Sequence, residues 1–305
     1  MKNPKTFSYI AIITSMLLWS MSFIWSKFAF ETYNPFTVLF FRLSIAGVFL
    51  LIFSKILGTL QKIKKEDYKI ILLLSFFEPF LYFIGENFGL QLVSASTASI
   101  LIATIPLFMP ILGYYIFKEK VTRNNILGVL ISVIGVLFVI INKDFSLFGQ
   151  PLGIALLLLA VFSALGYTVV LKQITYKYNT FTIVAWQNII ASIAFFPFFL
   201  ISDYKQFSEI GIIQSDFIYI VLLAIFASNM AFILYTHALK YFGVAKIGVY
   251  TNLIPIFTIV VSYFVLDEKL DFIKYVGIIL VIGGLLISEK KKKSISKPFT
   301  SVTEG

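Results

Sequence analysis

The sequence predicts an all-α integral membrane protein: ten transmembrane helices, set as two inverted five-helix repeats around a central cavity. Three observations carry that expectation: a composition too apolar for water, ten apolar stretches of spanning length, and a second half that echoes the first. Of 305 residues, 59% are hydrophobic and 13% charged, whereas soluble domains carry about 45–50% and 25%. So few charges cannot make a polar shell around a core, and lipid must be the solvent. The absence of cysteine excludes disulfides, thiolate metal sites and thiol chemistry. The net charge of +10 does not point to nucleic acid. Its lysines sit in short runs between apolar blocks and in the tail at Lys290 to Lys293, the pattern of loops facing anionic lipid.

About 20 apolar residues cross a bilayer. The first such stretch, Phe7 to Phe30, exceeds the core of a signal peptide and lacks a small-residue cleavage site, so it is expected to remain as the first span. The others run Phe36 to Leu57, Tyr68 to Val93, Ala95 to Phe117, Ile126 to Asn142, Gly153 to Leu171, Phe181 to Ser202, Phe217 to Leu239, Val244 to Leu266 and Phe272 to Ser288. The divisions at Ser94 and Gly243 rest on a small residue rather than a long loop. Backbone within hydrocarbon must be helix or closed barrel, and uninterrupted apolar runs without alternation favour helix.

Positive residues mark the cytoplasmic side. With the N-terminus inside, Lys and Arg divide 19 inside to 4 outside, leaving Lys27 and Arg42 within spans. A multi-pass protein of the cytoplasmic membrane is expected, with both termini cytoplasmic.

The repeat is explicit. Residues Leu90 to Val139 align without a gap on Leu239 to Ser288 at an offset of 149: Ile105-Pro106-x-Phe108 on Ile254-Pro255-x-Phe257, Tyr114 on Tyr263, Glu119-Lys120 on Glu268-Lys269, and Gly128 and Gly135 on Gly277 and Gly284. Upstream the offset is 145, pairing Phe36-Thr37 with Phe181-Thr182 and Arg42 with Gln187. The expected units are 1–142 and 150–288, followed by a basic tail, 289–305. Five spans per unit force the second copy to be inverted, and inverted copies can exchange conformations at nearly equal energy, the outline of alternating access.

These residues resemble the EamA-like family of the drug/metabolite transporter superfamily. The likeness rests on Trp19-Ser-x-x-Phe23, on Pro35 followed by Arg42 and Ala46, and on the doubled Pro-x₇-Tyr-x₄-Glu-Lys pattern from Pro106 and Pro255. The first motif usually reads Trp-Gly, so Ser20 is a departure that bears on helix packing. The resemblance implies two inverted bundles around a cavity, with the fifth and tenth helices peripheral. It leaves the substrate open among amino acids, nucleotide precursors, sugars, phosphates and drugs.

Glu78 lies near the middle of the third span, with Tyr82 and Glu86 at helical spacing. A carboxylate at that depth must face a cavity or a cation, so two readings stand: an ion pair with Lys27 or Arg42, or a substrate or proton site. Trp19, Asn87, Tyr167, Trp186, Gln187, Asn229, Tyr250 and Asn252 are further candidate substrate-binding groups, because amides and aromatics inside apolar helices need partners. Pro106 and Pro255 each remove a helical hydrogen bond and are candidate hinges or static kinks. The paired glycines read as close helix packing. Glu119 and Glu268 read as caps or ion pairs at span ends, and His237 as interfacial.

The leading functional expectation is a secondary transporter of a small metabolite, amino-acid-like, with export favoured. The alternative is a membrane enzyme or scaffold acting on lipid intermediates, against which stands the lack of His-Glu-x-x-His. No Walker A pattern couples ATP, and no cofactor or metal is expected. The expected partners are a small-molecule solute and the bilayer, with homodimer formation open.

Overall fold

The computed structural model describes residues 4–108, 115, 123–140, 150–242, 250–251, 253–268 and 271–289. Among the described residues every regular element is helical. The first helix, α1 (Pro4–Thr32), is uninterrupted for 29 residues, about 43 Å at 1.5 Å per residue and ample for a bilayer. It ends where Asn34 turns extended ahead of Pro35, which opens α2 (Pro35–Ile56) at a position needing no amide hydrogen. Gly58, at φ +64°, turns the chain out of α2 into a strap at 59–64.

The third expected span is not one helix. It comprises α3 (Tyr68–Ser75), π-helical turns at Phe76–Leu81, and α4 (Tyr82–Leu92), because Glu78 is extended (φ −147°, ψ 122°) before Pro79; the Glu78–Pro79 peptide is cis. Proline withholds one amide, and Ser163 donates to the nearby carbonyl of Phe77 at 2.6 Å, which is how irregular backbone is satisfied at membrane depth. Ser94 caps α5 (Ala95–Ile102) by accepting from the Thr97 amide. The fourth span also breaks, at 103–104, just before Pro106.

After α6 (Arg123–Ile140) and α7 (Pro151–Ile174) comes α8 (Thr180–Phe198), capped by Asn179. This span outruns the expected Ser202: π-helical turns at Phe199–Asp203 carry it into α9 (Tyr204–Ile210). The next comprises α10 (Gln214–Leu222), π-helical turns at Leu223–Ala231, and α11 (Phe232–Phe242). The described helices end with α12 (Leu253–Val265) and α13 (Phe272–Glu289). Among the described residues six stretches are long and apolar enough to cross a membrane, and Ala95–Phe108, Ile126–Gly135, Leu253–Val265 and Phe272–Gly284 are shorter apolar helices.

Burial is inverted relative to a soluble protein. Ile56, Ile201, Phe264 and Phe272 are outward-facing and exposed, while Arg42, Asn87, Gln187 and Asn188 are fully buried. This is an all-α, multi-pass membrane protein, with apolar side chains offered to lipid and polar ones kept for partners within.

The two halves meet in reciprocal contacts. A Cβ on Gly135 would stand 2.6 Å from the Gly277 carbonyl oxygen, and one on Gly284 would stand 2.5 Å from that of Gly128. Each contact becomes the other when repeat partners are exchanged. Ser132 on α6 donates to Val281 on α13 at 3.0 Å, and these residues are each other's equivalents, 149 apart. The same exchange relates Ser44 with Ser192, whose hydroxyls lie 2.6 Å apart, to Gly47 packed on Ile189 at the 145 offset. Exchange of partners in this way is the signature of a two-fold relation.

Ser20 does not loosen the packing of α1. It is fully buried, and its hydroxyl lies within reach of the Met16 (2.7 Å) and Ile254 (3.0 Å) carbonyls, tying α1 to α12. His237 joins α11 to the start of α1, with Nε2 3.4 Å from the Ser8 hydroxyl.

Candidate functional site

A cavity of about 100 Å³ lies where the halves meet. Its walls come in repeat-related sets. Trp19, Ser22 and Phe23 of α1 face it, and so do Ala164, Tyr167 and Thr168 of α7, the same three positions shifted by 145. Phe83 and Glu86 of α4 face Phe232 and Tyr235 of α11, shifted by 149. Ile102 and Ile105 answer to Thr251 and Ile254, also by 149. The two-fold relation therefore runs through the cavity.

Aromatic rings form most of the enclosure. Trp19 contacts Phe232 edge-on at 5.1 Å and Tyr235 at 4.9 Å, and Tyr167 meets Phe232 at 6.4 Å. Such rings supply a rigid apolar wall with a negative face toward cations.

Charge breaks the symmetry. The first half contributes Arg42, Glu78 and Glu86, where the second has Gln187, Ala227 and Tyr235. Arg42 is 1% exposed. Its Nε donates to the Ser228 hydroxyl at 2.7 Å, and its guanidinium carbon stands 4.1 Å from the centre of the Phe83 ring. One guanidinium nitrogen, Nη1, is buried without a partner among the described residues, which needs a reason. Glu86 accepts from the Tyr82 hydroxyl at 3.1 Å.

The expected ion pair is not closed. Lys27 instead donates to the Val93 carbonyl at 2.7 Å, with Glu268 as its electrostatic partner. Arg42 shares the cavity with Glu78 and Glu86, but neither carboxylate lies within the 4.0 Å of a salt bridge to it. The geometric reason is that Ser228 and Phe83 already orient the guanidinium.

The predicted site residues divide. Trp19, Glu78, Tyr82, Glu86, Tyr167, Arg42 and Pro106 line the cavity. Asn87 is turned to its own helix, donating to the Phe83 carbonyl. Gln187 accepts from Tyr167 at 3.4 Å behind the wall. Asn229 ties α2 to the irregular turns through the Ala46 carbonyl and receives Asn188. Trp186 lines a separate groove. Tyr250 lies 6.1 Å from the ring of Tyr9 and is not part of the cavity lining, although its neighbour Thr251 is. Pro255 is buried in α12 beside the lining residue Ile254, and Asn252 lies outside the described residues. Sequence reasoning passed over Phe83, Tyr235 and Ser228. Extending the 149 offset upstream of Leu90 would have found the first two.

Both copies of the third span carry π-helical turns, at Phe76–Leu81 and Leu223–Ala231, positions that overlap at the 149 offset. Only the first contains proline. Ser15 of α1 donates to the Ala231 carbonyl at 2.9 Å, as Ser163 does for Phe77. Such turns inside helices gather at functional sites.

The EamA-like transporter family matches twice, over residues 6–141 and again over 151–289. The chain belongs to the EamA-like transporter family. Relatives of this EamA-like protein span nearly its whole length. Uncharacterized transporter YetK of Bacillus subtilis (strain 168) is 26% identical over 298 residues, covering 94% of this chain and 88% of its own. An uncharacterized transporter of Archaeoglobus fulgidus is 26% identical, covering 95% and 99%, and one of Haemophilus influenzae is 27% identical, covering 94% and 96%. A solved crystal structure, 14% identical, superimposes with a TM-score of 0.68 over 92% of this chain and 97% of its own, which establishes the fold alone. These matches support a transporter rather than an enzyme.

Proposed function

We propose that this EamA-like protein is a secondary transporter of a small zwitterionic, amino-acid-like metabolite, and that it works by alternating access in the direction of export. The observation that carries the reading is the unpartnered Nη1 of Arg42, in an aromatic enclosure that also holds Glu78 and Glu86. A substrate carboxylate would complete the guanidinium, a substrate ammonium would meet the carboxylates, and an apolar side chain would fill the ring-lined remainder.

The cavity's 100 Å³ is below the roughly 300–1,000 Å³ of ligand pockets, so loading requires the walls to part. One end is tied shut. Glu268, after α12, accepts from the Ala95 amide (2.8 Å), the Ser96 amide (3.1 Å) and the Ser96 hydroxyl (2.7 Å) at the start of α5. Positive-inside counting puts this latch on the outer face. Its repeat equivalents are Glu119 and positions 244–245, which lie outside the described residues and which the same counting assigns to the inner face. Two such latches, closed in turn, would give the two states of the cycle.

Flux in proteoliposomes tests the proposal. A panel of radiolabelled amino acids should include at least one, apolar or aromatic, that exchanges across the membrane above protein-free background. If no member of the panel moves, the substrate class is wrong.

A further inference from the structure

A second concavity, of about 490 Å³, opens beneath the strap at 59–64. The strap is built in place. Its Gln61 amide donates to the Thr182 hydroxyl at 2.9 Å, its Lys64 amide to the Tyr178 hydroxyl at 3.0 Å, and the Asn179 amide donates back to Gln61 Oε1 at 2.6 Å. These bonds hold the strap against the start of α8, with α3 opposite, so the groove between them is preformed. Its lining is largely apolar, from Ile71 and Leu72 on one side and Ile190 on the other, and Trp186 lies in the wall with its indole nitrogen buried and without a partner among the described residues.

Charge at the rim is one-sided. Four lysines crowd positions 62 to 69, and the local acids are already engaged. Asp67 is held by Lys177 at 2.6 Å and by the Tyr178 hydroxyl at 2.8 Å, a bond that also keeps the Lys177 ammonium above its usual range. Glu66 faces Lys64 at 3.7 Å. Among the described residues the exposed ammonium groups of Lys62, Lys65 and Lys69 have no acidic partner. A preformed apolar slot lined by Lys62, with the exposed Lys65 and Lys69 close by in the chain, on the face that positive-inside counting assigns to the cytoplasm, is complementary to one molecule the bilayer supplies.

We infer that this groove binds a single anionic phospholipid, independently of what the central cavity carries. The phosphate sits at Lys62, Lys65 and Lys69, and an acyl chain lies along Ile71, Leu72 and Ile190. Trp186 lies near the end of the second turn of α8, about 9 Å along the helix from its start, where its ring walls the groove at the depth of the glycerol esters below the headgroup.

The test uses the full-length chain with Trp19→Phe and Trp25→Phe, so that Trp186 is the remaining fluorophore. It is reconstituted in vesicles of phosphatidylcholine doped with brominated phosphatidylglycerol or, in parallel, with brominated phosphatidylcholine. The phosphatidylglycerol should quench more strongly at equal mole fraction. Lys62→Gln, Lys65→Gln and Lys69→Gln together should remove that preference, a loss of about a hundred-fold if each surface lysine contributes about five-fold. Equal quenching by the two lipids with all lysines present would overturn the inference, because the groove would then hold any acyl chain. If the double tryptophan variant does not fold, native mass spectrometry of wild-type and triple-lysine protein gives the same decision: a phosphatidylglycerol adduct kept by the former and lost by the latter supports the site, and equal retention refutes it.

Discussion

At the residue scale, the cavity turns on which of its polar groups are already spoken for. Arg42 has committed Nε to Ser228 and its face to Phe83, leaving Nη1 open. Arg42→Gln installs the residue that the second half already carries at the equivalent position, so it should fold. It should cut flux by about ten-fold or more, the cost of losing a charge-assisted hydrogen bond to substrate; flux unchanged in the proteoliposome assay would remove Arg42 from the site. Glu78→Gln keeps shape and removes only the ionisable group. If Glu78 meets a substrate ammonium or carries a proton, flux should fall and its pH profile flatten, whereas a superimposable profile would leave Glu78 a packing residue. The depth of Glu78 and the alignment of Arg42 were legible in the sequence, since rare polar residues in apolar helices advertise themselves. What they touch was not. The direction of a side chain depends on the extended backbone at Glu78 and on a serine 186 positions from Arg42, neither of which has a periodic signature. The amides Asn87, Gln187 and Asn229 stand outside the cavity lining for the same reason: a buried amide needs a partner, and a neighbouring carbonyl or hydroxyl can supply one as readily as a ligand does.

At the element scale, the crossing of α6 and α13 depends on glycines whose missing side chains let backbones touch. Gly135→Ala and Gly284→Ala should each lower stability by about 1–3 kcal/mol through overpacking against a carbonyl, and by similar amounts because the contacts are reciprocal. Gly283→Ala is the control, since a Cβ there meets nothing within 4 Å. Thermal unfolding in detergent reads the difference, and equal midpoints for all three would mean that the crossing relaxes freely. The repeat made this pairing readable in advance, because spacing and symmetry are both properties of sequence. Helix interruptions were read less well. Pro106 announced one break, while the third span was expected as a single helix despite Pro79, and the turns at Leu223–Ala231 contain no proline, so only the matching position of the first-half irregularity hints at them. If the prolines act as hinges, Pro106→Ala and Pro255→Ala should each reduce flux more than they reduce the yield of folded protein; normal flux in both would make them static kinks.

For the whole molecule, the central issue is whether two inverted halves exchange roles. The topology it requires is checked by reporter fusions, which should read cytoplasmic after residue 65 and external after residue 207. The mechanical claim is sharper. Glu268 supplies three acceptor contacts to the start of α5 while Lys27, bound to the Val93 carbonyl, adds a cation beside it. A carboxylate on a helix N-terminus is favourable, by about 0.3–1 kcal/mol at exposed sites, strong enough to bias a state and weak enough to release. The chain lacks cysteine, so Ser96→Cys with Glu268→Cys can be joined without side reactions by a short bis-methanethiosulfonate, which displaces sulfinate to form a disulfide with each thiol. If the outer face must open in every cycle, the cross-link should abolish flux and a reductant should restore it, while either single variant treated alike should still transport. Full flux through the cross-linked protein would mean that substrate never passes between α5 and the end of α12, and the latch would be a fixed helix cap instead of a gate.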